Sequence, residues 1–150
     1  MSRISDIHAA WIAKIESTLP SYQRIADPYD PEKNSSLILN KGYGLGYGPA
    51  SNSERLKTPK MSIAREFFVV LTNKITTTES DADGRGTIEK SLLEDHFLLV
   101  KAIEGDPTLA GACAISKYVS DGGLEFLSGT RAKHFLLEIV FESEYFENTI

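Results

Sequence analysis

Several residue groups have types and spacings that suggest chemistry. Glu79, Asp81 and Asp83 place carboxylates two residues apart ahead of Gly84, as at the start of a calcium loop. Such a loop closes with a bidentate Glu at its twelfth position. Counted from Glu79 that position is Lys90, and from Asp81 it is Leu92, so the ligand set is incomplete and a polar hinge is expected. Gly42, Gly44, Gly46 and Gly48 suggest a phosphate cradle. Their spacing fits neither G-x-G-x-x-G nor G-x-x-x-x-G-K-[ST], and no helix follows to aim its N-terminus at an anion. His8, His96 and His134 are far apart in the chain, and Cys113 has none of them nearby in sequence, so a Cys–His pair would exist only if the fold assembled it. Asp95 and His96 are adjacent within a helical pattern and so face different ways. Glu94, Glu138 and Glu142 offer carboxylates at a spacing that suggests only solvent exposure. No catalytic, cofactor-binding or metal-binding set is therefore expected, and the protein is not expected to be an enzyme.

The 150 residues suit one domain, residues 1–150, able to bury roughly 70% of its unfolded surface. A single cysteine excludes an internal disulfide and is compatible with a reducing cytoplasm. No leader is expected, because Met1 and Ser2 run straight into an amphipathic pattern. No apolar run reaches the length of a membrane span. The net charge of −5 argues against a basic face that grips duplex DNA. Charge is also segregated: Arg55, Lys57, Lys60 and Arg65 cluster mid-chain, whereas Glu138, Glu142, Glu144 and Glu147 follow the last Lys or Arg, Lys133. This suits head-to-tail contact between copies.

The elements that must position these residues follow from periodicity. Ile4, Ile7, Trp11, Ile15 and Leu19 predict a helix over 4–19, stopped by Pro20. Short strands are predicted over 22–26 and 36–40. Residues 62–76 alternate as a strand, with Ile63, Phe67, Val69, Leu71 and Ile75 on one face. A hinge over 79–86 leads to a helix over 87–103, capped by Thr87 or Ser91. Ile88, Leu92, Leu99 and Ile103 form its apolar stripe, with Leu93, Phe97 and Val100 alongside. Phe97 is expected beneath the sheet, against Val69 and Ile139. A strand over 109–120 should place Cys113, Ile115 and Val119 on one side, turn at Asp121-Gly122-Gly123, and pair back over 124–128. A long strand over 134–146 ends the chain. Antiparallel hairpins with segregated helices define an α+β fold: a mainly antiparallel sheet of about four to five strands with two helices.

Two features point outward. Alternate glycines around Tyr43, Leu45 and Tyr47 do not read as a core strand, so 41–60 is expected to be an extended loop or a mobile arm that orders against a neighbour, the alternative being a hairpin folded over its own sheet. The second faces of the long strands carry Phe68, Val70, Leu136 and Val140, joined by Tyr118 and Leu127, where a sheet covered on one side should be polar. Either the first helix or a neighbouring subunit must cover them. Tyr43, Tyr47, Phe68, Val70, Leu136 and Val140 are thus the expected interface residues.

This arrangement resembles the tail-terminator (tail-completion) proteins of long-tailed bacteriophages. The resemblance lies in the opening helix over 4–19, the strand over 65–71 after a long loop, the helix containing residues 92–100, the hairpin across Asp121-Gly122-Gly123, and the final strand over 135–141. It implies a virion structural protein, assembled in the host cytoplasm, whose homo-hexameric ring caps the tail tube, ends tail growth and offers a surface for head–tail joining. Its implied partners are further copies of itself, the tail tube protein and a head-completion or neck protein. DNA passes through the lumen without specific binding, and neither a membrane nor a cofactor is involved. The alternatives are a head–tail connector or neck protein, a small cytoplasmic hydrolase and a small-molecule-binding domain.

Overall fold

The strongest two-residue alternation in the chain produces the two central strands. In the computed structural model, which describes residues 3–25, 28–29, 41–55, 60–75, 82–128 and 133–148, the elements are α1 (Arg3–Thr18), β1 (Gln23–Arg24), β2 (Lys41–Arg55), β3 (Lys60–Lys74), α2 (Ala82–Gly105), β4 (Ile115–Ser128) and β5 (Lys133–Asn148). The five-stranded sheet has the order β1-β2-β3-β5-β4, antiparallel except for the short parallel pair β1–β2. The fold is α+β. β3 and β5 stay in register from Lys60 opposite Asn148 to Lys74 opposite His134, without a bulge.

Their odd-numbered residues face the helices. Phe67, Val69, Leu71, Leu137, Ile139 and Phe141 are enclosed there together with Ile7, Trp11 and Ile15 of α1 and Ile88, Leu92, Leu99 and Ile103 of α2. The Trp11 ring lies 5.9 Å from that of Phe67 and 4.9 Å from that of Phe141. Its indole N–H donates to Ser143 Oγ at 3.0 Å, so the largest core side chain is buried with its polar atom satisfied. Both α1 and α2 therefore occupy one side of the sheet.

The other side differs from expectation. Val70 and Leu136 are buried, yet α1 does not lie on this side; Ile25 and Pro28, which follow β1, do. Pro28 stands over Gly44, where a Cβ would lie 2.9 Å from it, and Ile25 stands over Gly42 at the same distance. These two glycines belong to a regular strand whose outer surface must leave room for Ile25 and Pro28. The extended arm expected over 41–60 is thus a strand from Lys41 to Arg55, hydrogen-bonded into the sheet. Entropy disfavours glycine in a strand, but close approach of a second layer requires it here.

Further boundaries shift. α2 begins at Ala82, so the expected hinge at 79–86 is helical from Ala82 onward, and neither Thr87 nor Ser91 caps it. β4 begins only at Ile115. Residues 106–114 form turns, in which Leu109, Ala110 and Gly111 have φ of 50°, 57° and 88°. Cys113 is buried in that turn, whereas Ile115 and Val119 are exposed, so the three do not share a side. The Asp106 carboxylate receives the Ala110 N–H and the Lys14 ammonium at 2.8 Å; the lysine contact above all holds its pKa below the usual value. Asp121–Gly123 is no hairpin. Register shifts carry one continuous β4 past it, with Gly123 at φ 77°, so the two predicted strands are one bulged edge strand. Tyr118 faces the helices, packing edge-on against Phe141, while Leu127 lies opposite His134 on the other side. The strand expected over 36–40 lies outside the described residues.

Phe97 is 64% exposed and does not lie beneath the sheet. It follows Leu92 by five residues, which turns it about 140° away from the core stripe. Leu99→Ala is expected to destabilise the chain by about 2–5 kcal/mol, and Phe97→Ala by about 0.5 kcal/mol or less. Urea unfolding of the two variants checks this ordering.

Candidate assembly surface

The apolar residues of α2 exceed what one face can bury. Ile88, Leu92, Leu99 and Ile103 point at the sheet, while Leu93 and Leu98 remain 45% and 49% exposed beside Phe97. These three line a shallow groove of about 760 Å³ together with Gly86, Glu89, Lys90 and Glu94. An apolar stripe rimmed by both signs of charge, on the side of a regular helix away from its own core, is the composition of a contact surface. A second exposed series, Ile115, Val119 and Phe126, lies on β4, the outermost strand of the sheet.

The expected interface residues separate into two groups. Tyr43 is fully enclosed, and its hydroxyl donates to Glu16 Oε1 at 2.7 Å; burial above all raises its pKa. Val70 and Leu136 are also enclosed by their own chain. Tyr47, Phe68 and Val140 keep accessible surface, with Phe68 opposite Val140 in the register. Tyr47 packs edge-on against Phe67 and is hydrogen-bonded to His8 Nδ1. Arg24 approaches His8 Nε2 at 3.4 Å. A guanidinium only donates, so Nε2 accepts and the neutral ring carries its proton on Nδ1, donated to Tyr47. Burial, then Arg24, lowers the His8 pKa and favours this neutral form.

The remaining candidates for chemistry are dispersed. Cys113 Sγ lies 3.2 Å from Ser116 Oγ, which lies 2.6 Å from Ser143 Oγ, the acceptor of the Trp11 N–H. Burial raises the thiol pKa, and this chain of hydroxyls carries no base. His96 packs near the Tyr118 ring at 5.4 Å. The adjacent Asp95 turns instead to the Tyr22 hydroxyl at 2.6 Å, with Lys41 Nζ at 3.7 Å. Glu138 accepts from Tyr29, and Glu142 pairs with Lys117 at 3.4 Å. Among the described residues no group of three or more His, Cys, Asp or Glu side chains is placed to hold a metal, and no helix is long and apolar enough to cross a membrane.

Sequence reasoning missed the hydroxyl chain and the Tyr22–Asp95–Lys41 contact. Ser143 carried a signal: it occupies the helix-facing register between Phe141 and Tyr145, where a polar residue needs a buried partner.

No family model matches this chain. Human guanylyl cyclase-activating protein 3 is 38% identical over 79 residues, covering 47% of this chain and 38% of that protein. The chain thus spans well under half the length of this curated relative, and the similarity is to a segment of it.

Because Tyr43 is a core side chain of β2, Tyr43→Ala is expected to cost about 3–5 kcal/mol, the range for removing a buried aromatic. Chemical denaturation of the isolated chain measures it. A loss below about 1 kcal/mol would mean that this tyrosine does not hold the strand in place.

Proposed function

We propose that this chain is a subunit of a ring that caps a bacteriophage tail tube, ends its growth and presents a surface for the filled head. The observation that carries the reading is the outward stripe of α2, where Leu93, Phe97 and Leu98 stand in solvent on a helix whose opposite side is already packed. A virion subunit needs such a surface, because copies must meet each other and the tube by apolar contact. The two half-buried residues of the outer sheet face, Phe68 and Val140, and the exposed apolar residues of the edge strand β4 add further contact area. The negative balance of −5 suits a lumen through which DNA passes without being held. The partners on this reading are further copies of the chain, most simply six, the tail tube protein and a head-completion protein. No catalysis or cofactor enters.

The double variant Leu93→Glu, Phe97→Glu adds charge to the stripe without touching the core. Its unfolding free energy is expected to stay within about 0.5 kcal/mol of the parent. Its ability to cap purified tail tubes, scored by electron microscopy and by light scattering of assembled rings, is expected to disappear. Unimpaired capping by a folded double variant would contradict the reading, as would failure of the parent chain to bind tubes at all.

A further inference from the structure

His134 lies wholly buried on the sheet face opposite the helices. Its Nε2 is 3.1 Å from the carbonyl oxygen of Pro28. A carbonyl only accepts, so Nε2 carries the hydrogen, and the Nδ1 lone pair faces a site that offers it no partner. The same short stretch of chain is held at three further points: Ile25 over Gly42, Pro28 over Gly44, and the Tyr29 hydroxyl on Glu138. Ile25 also donates its N–H to the Tyr43 carbonyl at 2.9 Å. We infer that the chain carrying Ile25, Pro28 and Tyr29 is a strap seated over Gly42 and Gly44 and latched by neutral His134, and that acid releases it.

Protonation must place a hydrogen on Nδ1, in a buried site with no acceptor. Among the described residues, the titratable groups nearest His134 on this face are Lys74, opposite it on β3; Glu125, opposite Leu136 on β4; Glu138 on β5; and Tyr29 on the strap. Neither Glu138 nor Glu125 supplies Nδ1 with an acceptor. Burial lowers the His134 pKa below 6.5, opposed in part by the Pro28 carbonyl. The latched state therefore binds protons less readily than the released state. Latching is at full strength above about pH 6.5 and weakens as the pH falls below it, by at most about tenfold per pH unit for one proton, down to the latched pKa.

Amide exchange of the full chain tests this, with rates corrected for the intrinsic effect of pH. Protection of the Ile25 amide is expected to fall about tenfold between pH 7.5 and pH 5, while the Val69 and Ile139 amides keep theirs. In His134→Gln, which cannot gain a charge, Ile25 protection should not change over that interval. Unchanged Ile25 protection in the parent, an undiminished fall in the glutamine variant, or simultaneous loss at Val69 and Ile139 would each overturn the inference. If the variant does not fold, the ring nitrogen shifts of His134 in the parent decide. Protonation coincident with loss of Ile25 protection supports the latch, and protonation without that loss, or loss while the ring stays neutral, rejects it.

Discussion

The unbroken pairing of β3 with β5 is the constraint on which the other elements depend. Every residue from Lys60 to Lys74 has an opposite number between His134 and Asn148, and a slip of one residue would turn Phe67, Leu71, Ile139 and Phe141 from the helices toward the opposite face. The register fixes the floor on which Trp11 stacks, and Trp11 fixes α1. It also aligns Ser143 with the indole N–H, so that the core closes around a satisfied polar atom. β2 and β4 then add to the two free sides of this pair, each with register shifts that the central ladder lacks.

The parts legible in the sequence were those where one physical signal acted alone. The helix-facing alternation of β3 and β5, and the stripe Ile7–Trp11–Ile15 ahead of Pro20, are legible because one buried face dominates each. β2 was misread because its glycines look like flexibility when taken singly. Gly42 and Gly44 are spaces left for Ile25 and Pro28, which come from a segment with no periodic signal of its own, and Gly48 leaves room for the Phe68 and Glu66 side chains. Asp121-Gly122-Gly123 has the residues of a hairpin, yet both flanks pair with β5; the same backbone freedom that permits a turn also permits a bulge. Phe97 is as apolar as the core stripe beside it, but its angle around the helix turns it to solvent.

The contact residues were legible only in part, for a related reason. The sequence showed that both sheet faces were apolar, but not which of several coverings each received. α1 and α2 share one face. On the other, Ile25 and Pro28 stand over Gly42 and Gly44, Val70 and Leu136 are buried, and Phe68 and Val140 are half-buried. The surplus apolar surface therefore lies chiefly on α2 and along β4, and less on the sheet face where it was first expected.

The central functional claim is that the outward stripe of α2 is buried when the chain assembles on a tail tube. Hydroxyl-radical footprinting, read residue by residue by mass spectrometry, tests it most directly by comparing the free chain with the tube-bound form. The account predicts that Leu93, Phe97 and Leu98 lose most of their reactivity on binding, while the enclosed Trp11 is unreactive in both states. Equal reactivity of Phe97 in the free and bound forms would contradict it.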